Sequence, residues 1–491
     1  MRDFIKIISF VLSFFLFQIS LYSQDGSPST EGKEFWVTFM KNGNYGCRPN
    51  GGGHAPSYEF LKLTIASRYN CSGTVSNPNT GYSQNFTVTA WQRLELTIPY
   101  NEAYTDIYGN IVNTGLLITT TEDVCIFASN SAINSFEPTL LLPTRCLGKE
   151  YSVTTNGTRY YLNSCGEVFA AQFAILATTN NTRVRITPKL ATNNGKPKDI
   201  PFEITLNRGQ VYMVGAEHPA GSYNQEYKFG LTGSWVEVVQ GGQIALFQGN
   251  SLAAETVENV YSQYLNRASH IYDQAIPVKY YGKQLAAVMM GLTGGDGVFI
   301  TITGLYDDTH ITYLDDTPLV TLNKGDSYGM YYSNSSIGFN SDKPCTFYYT
   351  TSVKSEYPSM TMVACREQAC DDFIFATVTP PGYYMPYTDM ITLTVHSNSV
   401  NVNGSSVYFS PSDIPGYSYC PYSIPVENQV YNITSQSGVI AAFVPVGEYS
   451  FLCSIGGSML TQFMYIDDIL SNEIASNQKY CVDVPIDFRS E

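Results

Sequence analysis

Short runs that alternate apolar and polar residues dominate the chain. Val184-Arg185-Ile186 and Ile311-Thr312-Tyr313 each place every second side chain on one face, the period-two pattern of a half-buried strand. An apolar run precedes each, Ala174–Ala177 and Phe299–Thr303, and the turns between are Asn180-Asn181-Thr182 and Asp307-Asp308-Thr309. Asn and Asp tolerate left-handed backbone angles, so both blocks predict two strands joined by a tight turn. Strong helical periodicity is absent.

The blocks repeat. Thr205–Tyr212 (Thr-Leu-Asn-Arg-Gly-Gln-Val-Tyr) returns as Thr321–Tyr328 (Thr-Leu-Asn-Lys-Gly-Asp-Ser-Tyr), and Leu142–Lys149 returns as Ile276–Lys283. A polar turn followed by an apolar strand recurs at Glu122–Phe127, Gly241–Phe247, Asp342–Phe347 and Gln436–Phe443. Self-similarity at this spacing predicts an all-β chain of tandem, repeated β-sandwich-like units. The expected bounds are 31–140, 141–270, 271–378 and 379–470, with a C-terminal tail over 471–491. Residues 1–23 read as a cleaved secretory signal: Arg2 and Lys6 precede the apolar run Ile7–Phe17, and Ser23 offers a small residue at the cut. That run is too short for the roughly 20 residues of a membrane-spanning helix. A secreted or cell-surface protein with no transmembrane segment after cleavage is expected.

The stretch Thr30–Asn42 (Thr-Glu-Gly-Lys-Glu-Phe-Trp-Val-Thr-Phe-Met-Lys-Asn) resembles the opening of the IgGFc-binding protein N-terminal domain family. The elements around Pro143–Lys149 and Pro277–Lys283, and the hairpins followed by Leu-Asn-x-Gly, are similar to that family's internal pattern. The resemblance runs from about Thr30 to beyond Phe443. It implies binding rather than turnover, since the family takes its name from an animal mucosal protein that binds the Fc part of immunoglobulin G. Similar domains are common in secreted bacterial proteins. The signal and the acidic, Asn/Tyr/Ser-rich composition resemble exported proteins of Bacteroidetes. The family supplies no agreed site residues to carry over.

Composition narrows the function classes. The 491 residues hold 42 acidic side chains against 27 Lys and Arg, a net charge of −15, with only 14% charged residues. An acidic chain without a basic run lacks the positive field that nucleic-acid binding needs, so no nucleic-acid partner is expected. The 38 Tyr and 26 Phe suit many pleated strands. Eleven cysteines in an exported chain favour disulfides, and Cys365 and Cys370, which frame Arg-Glu-Gln-Ala, are the expected pair.

Candidate chemistry is sparse. The five histidines are scattered, no Gly-x-Ser-x-Gly occurs, and the Asp pairs are adjacent in sequence, so on a strand they point to opposite faces. No cofactor and no catalytic residue is expected; an oxygen-rich Asp turn leaves room for a structural calcium. The Gly-rich stretch Asn42–His54 reads as a surface loop between the first strands, and Asn44, Tyr45, Arg48 and His54 are its contact candidates. The favoured reading is an exported, non-catalytic binding or adhesion protein recognising a surface or matrix macromolecule, protein or glycoprotein. The alternative is a secreted glycan-acting enzyme whose carboxylates are brought together by the fold, about 5–10 Å apart.

Overall fold

The computed structural model describes residues 29–45, 59–132, 135–157, 170–217, 230–253, 269–288, 298–332, 336–351, 358–378, 387–395, 400–425, 429–445 and 453–456. The expected signal and C-terminal tail lie outside them. Nearly every described element is a strand, so the all-β expectation holds.

The first unit contains β1 (Gly32–Val37), β2 (Phe39–Met40), β3 (Phe60–Ala66), β4 (Cys71–Ser76), β5 (Ser83–Val88), β6 (Leu94–Ile98), β7 (Tyr104–Thr105), β8 (Ile111–Val112), β9 (Leu116–Ala132) and β10 (Ser135–Leu140). The second holds β11 (Glu150–Ser152), β12 (Ala171–Ala177), β13 (Thr182–Thr187), β14 (Phe202–Leu206), β15 (Val211–Gly215), β16 (Trp235–Gln240), β17 (Ile244–Ala253) and β18 (Ser269–Gln274). The third holds β19 (Gln284–Val288), β20 (Val298–Gly304), β21 (Thr309–Tyr313), β22 (Pro318–Leu322), β23 (Ser327–Tyr332), β24 (Ser336–Ser341), β25 (Cys345–Thr351) and β26 (Met360–Met362). The fourth holds β27 (Cys370–Ala376), β28 (Tyr387–Val395), β29 (Val400–Val402), β30 (Ser405–Val407), β31 (Ser410–Pro411), β32 (Tyr417–Pro425), β33 (Val430–Pro445) and β34 (Cys453–Gly456).

One topology recurs in all four. The second unit pairs its strands as β11-β16-β13-β14 and β15-β12-β17-β18, and the third as β19-β24-β21-β22 and β23-β20-β25-β26. The first repeats this as β1-β9-β4-β5 and β6-β3-β9-β10, the long β9 serving both sheets: Leu116–Val124 pair with β1, and Cys125–Ser131 with β3. The fourth does the same through β33, flanked by β27 and β29 in one half and by β28 and β34 in the other. A strand that crosses between sheets is one way to turn a sandwich corner.

Burial separates the two sheets of each unit. Along β13, Thr182, Val184 and Ile186 face in while Arg183 and Arg185 face out or lie half-buried, as a one-sided sheet requires. Along β12, β17 and β20 every residue is buried, because neighbouring units cover the second face. The last strands close a circuit: β10 packs on β18 and on β34, and β26 packs on β18 and β34. Arg68 ties the first unit to the fourth through Glu31 at 3.2 Å and Asp372 at 2.7 Å, and the Ile374 N–H donates to Glu31 at 3.2 Å. Burial raises the Glu31 carboxyl above its ordinary pKa, against the opposing pull of Arg68.

Three short 3-10 turns join successive units, at Thr144–Cys146, Val278–Tyr280 and Arg366–Gln368. The expected Cys365–Cys370 bridge is not formed there. Cys365 Sγ lies 3.1 Å from Gln368 Oε1, Cys370 Sγ lies 3.5 Å from the Asp372 carbonyl, and both are buried free thiols. The Gln368 side chain also accepts from the Cys365 N–H at 2.8 Å, so a capping hydrogen bond organises this turn instead.

Candidate functional site: a tyrosine cluster at the base of the first loop

The start of the Gly-rich stretch is held by buried polar groups. β2 pairs with β7 in parallel, which brings Tyr104 beside Asn42. The Asn42 N–H donates to Tyr104 Oη at 2.9 Å, and that hydroxyl lies 3.3 Å from the Asn42 carbonyl. Asn42 Oδ1 accepts from the Asn44 N–H at 3.0 Å, and the Asn42 carbonyl accepts from the Tyr45 N–H at 3.0 Å. This is an Asx turn, the local bond that suits Asn to such positions. Gly43 approaches β17 closely: its N–H donates to the Ser251 carbonyl at 2.9 Å, and a Cβ there would meet Leu252 Cγ at 2.7 Å.

The network continues inward. Asn42 Nδ2 donates to Ser135 Oγ at 3.3 Å, which also accepts from the His270 N–H at 2.9 Å. His270 Nδ1 lies 2.8 Å from the Asn250 carbonyl, and its Nε2 lies 3.2 Å from Asn130 Nδ2. The ring therefore donates through Nδ1 and accepts at Nε2, the neutral form. Burial lowers its pKa to about 4, although the hydrogen bond to Asn250 opposes that shift.

On this base stands a cluster of three half-buried tyrosines. Tyr45 stacks on Tyr100 with centroids 4.3 Å apart, tilts against Tyr104 at 5.1 Å, and Tyr100 meets Tyr104 edge-on at 5.2 Å. The four-residue helix Tyr100–Ala103 sets the spacing between Tyr100 and Tyr104. Lys41 Nζ lies 6.0 Å from the Tyr108 ring, and Tyr108 Oη donates to Gln172 Oε1 at 2.7 Å. Burial raises the pKa of Tyr45, Tyr100 and Tyr104, so all three phenols stay protonated; the Tyr104 hydroxyl donates to the Asn42 carbonyl and that of Tyr100 to the Ser131 carbonyl at 3.5 Å, which fixes both rings. Stacked rings with hydroxyl tips can receive a peptide or sugar by apolar contact and hydrogen bonding.

Of the four expected contact residues, Asn44 and Tyr45 belong to this cluster, and Arg48 and His54 lie outside the described residues. Sequence reasoning missed Tyr100, Tyr104 and Tyr108. Their four-residue spacing was the available signal, but only the pairing of β2 with β7 brings Tyr100 and Tyr104 to Tyr45, while Tyr108 meets Lys41 and Gln172.

Other expected chemistry lands elsewhere. His310 is exposed, with Nδ1 3.0 Å from Asp342. Asp307 Oδ1 accepts from the Lys324 N–H at 3.0 Å and Asp315 Oδ1 from the Thr317 N–H at 3.1 Å, which is turn formation. Glu137 is enclosed and Asp273 half-buried: Ser359 donates to Glu137 at 2.6 Å and Thr139 to Asp273 at 2.9 Å. Burial raises both carboxyl groups, Asp273 to about 7. Among the described residues no three His, Cys, Asp or Glu side chains gather as a metal site, and no helix is long and apolar enough to cross a membrane.

No curated protein matches the chain. The family model described as IgGFc binding protein matches residues 137–444, from β10 almost to the end of β33, so the tyrosine cluster precedes the matched segment. That match covers more than half of the sequence, and its bounds include the whole second and third units with the turns that join them; the chain belongs to the IgGFc binding protein family.

Proposed function

We propose that the protein is an exported binding protein that holds an extracellular protein or glycoprotein without turning it over, at the cell surface or after release. The observation that supports this most is the Tyr45–Tyr100–Tyr104 cluster, half-open to solvent and anchored through Asn42 to a buried network. Aromatic side chains on a rigid support present large contact area at small entropic cost, which is the usual composition of a contact hot spot. Membership of a family described by its binding supports the same reading.

The test uses the full chain immobilised and a defined panel: immunoglobulin G Fc fragment, collagen and a purified mucin. Saturable binding, with the probe recovered intact in mass and glycosylation, is the expected result. A probe returned cleaved or deglycosylated, or no saturable binding across the panel, would overturn the reading.

A further inference from the structure

The Leu-Asn-Arg/Lys-Gly turns of the second and third units are docking devices. The turn at Asn207–Gln210 puts Arg208 over the Trp36 ring of the first unit, 5.3 Å from its centroid. The turn at Asn323–Asp326 puts Lys324 over the Trp235 ring of the second unit, at 3.8 Å. Both turns share three backbone bonds. Arg208 N–H donates to Asn180 Oδ1 and Lys324 N–H to Asp307 Oδ1, each at 3.0 Å. Gly209 N–H donates to Ala177 O at 2.8 Å and Gly325 N–H to Gly304 O at 2.9 Å. Gln210 N–H donates to Asn207 O and Asp326 N–H to Asn323 O, both at 2.9 Å.

The first unit builds the same turn from different residues. Ala90 N–H donates to Asn70 Oδ1 at 2.8 Å, Trp91 N–H to Ser67 O at 2.9 Å, and Gln92 N–H to Thr89 O at 3.0 Å. Ala90 therefore takes the place of the cation, and Trp91 that of the left-handed glycine. Gly209 and Gly325 have φ of 77° and 78°, and Trp91 has 62°. A bulky residue in this region is a genuine outlier, and strain of this kind collects at binding sites. Trp91 is 47% exposed, whereas Trp36 and Trp235 are covered. Tyr69, between the turn's two partners Ser67 and Asn70, is 58% exposed; its counterpart Tyr306 is half-buried against the core.

We infer that Trp91 and Tyr69 form an open docking surface for a partner protein that presents a lysine or arginine side chain, the contact Trp36 and Trp235 already receive within the chain. The inference rests on the binding role proposed above and names a second face for it. Charge supports the choice of partner. The chain carries −15 overall, and the exposed Asp123 adjoins the turn, its carbonyl accepting from Ser67 Oγ at 2.7 Å. The neighbouring cations are engaged, Arg68 with Glu31 and Asp372, and Arg93 with Glu95 at 3.1 Å and with the Thr377 carbonyl at 2.5 Å. Trp and Tyr are the residues that most often dominate protein contacts, and a cation over an indole is the strongest pairing of its kind.

The experiment titrates the full chain with a twelve-residue arginine-rich peptide, a serine-rich peptide of equal length, and a neutral hexasaccharide, following indole emission and affinity. The arginine peptide shifts the emission and the other two do not. Trp91→Gly loses the shift and weakens the peptide at least fivefold, while melting at an equal or higher temperature because glycine relieves the strained backbone. Tyr69→Ala, on an unstrained position, weakens the peptide with unchanged melting. Equal affinity in wild type and both variants, or an emission response to the hexasaccharide alone, overturns the inference. A chain that binds no protein of the panel yet shows the Trp91-dependent response overturns the proposed function and leaves this surface standing.

Discussion

Gly148 lies so close to Pro277 that a Cβ at position 148 would come within 2.5 Å of the proline Cβ. The relationship repeats at every junction. A Cβ on Gly32 would meet Pro143 at 2.5 Å, and one on Gly282 would meet Cys365 Sγ at 2.4 Å. Each glycine opens a unit and receives the start of the next connecting turn, so the connectors stack upon one another. The Pro-x-x-x-x-Gly-Lys element is thus the joint of the repeat.

Gly148→Ala should destabilise the protein by about 1–3 kcal/mol, the cost of overpacking a site whose neighbour is a rigid ring. Gly195→Ala is a poor control because its φ is positive, so Thr205→Ala, exposed on the edge strand β14 of the same unit, serves for comparison. Thermal melting of the two variants checks the difference: a Gly148→Ala protein that melts with wild type would show that the joint has slack.

Lys324→Ala should cost about 0.5–1 kcal/mol by removing the ammonium from the half-exposed face of the second-to-third junction. Lys324 also reaches Glu150 at 3.4 Å, an exposed pair that adds little. Trp235 Nε1 also donates to Glu150 at 3.0 Å, so a Lys324→Ala, Trp235→Leu double-mutant cycle in a Glu150→Ala background isolates the ring contact from the ion pair. A coupling energy indistinguishable from zero would contradict the docking role of the turn.

Stability should fall as pH rises from about 6.5 to 8. Burial holds Asp273 up to about 7 and also raises Glu137 well above the ordinary carboxylate range, so their contribution is complete below that range and is lost as pH climbs through the raised values. His270 acts in the opposite sense: lowered to about 4, it stabilises above its ordinary pKa of 6.5 and loses that contribution as pH falls. The two oppose each other between pH 4 and 6.5, leaving the carboxyl groups alone above it. Melting temperatures at pH 6.5 and 8 should differ in wild type, and the difference should shrink in Asp273→Asn, where Glu137 alone remains; an unchanged difference would contradict the assignment.

The seven described free cysteines are buried, and burial pushes the thiols of Cys146 and Cys370 to about 11 and that of Cys345 to about 12. Thiolate is the reactive form, so iodoacetamide at pH 8 should label these positions slowly in the native protein and quickly in denaturant. Non-reduced peptide maps should show Cys365 and Cys370 as separate alkylated thiols. A linked peptide would restore the disulfide expected from the exported compartment.

The repeat was legible because its signals are local. Alternation in Val184–Ile186, the Asn and Asp turns and the Leu-Asn-x-Gly blocks each depend on a few adjacent residues, and the structure places Asn181 and Asp308 in left-handed turns at φ 54° and 53°. The strand pairing of β9 and β33 was not legible, since the polar residues in the middle of each, Glu122-Asp123 in β9 and Gln436-Ser437-Gly438 in β33, read as a turn between two strands rather than as one strand shared by two sheets. The cysteine expectation rested on compartment alone, while the hydrogen bond from the Cys365 N–H to Gln368 depends on backbone geometry. Asn44 and Tyr45 were singled out as loop residues, but their partners Tyr100 and Tyr104 are more than 50 residues away and meet them through the β2–β7 pairing. The role of the Arg208 and Lys324 turns was hidden for the same reason: the motif is local, and the tryptophan it covers is in the unit before.

The binding account turns on the tyrosine cluster, and equilibrium binding of the panel (Fc fragment, collagen, mucin) to the full chain before and after Tyr45→Ala tests it most directly. Tyr45 is half-buried and stands at the outer end of the network, so the substitution should leave the melting temperature within a few degrees of wild type while weakening capture at least tenfold, the loss of roughly 1.4 kcal/mol. Undiminished capture by a Tyr45→Ala protein of native stability, or no capture by wild type, would contradict the account.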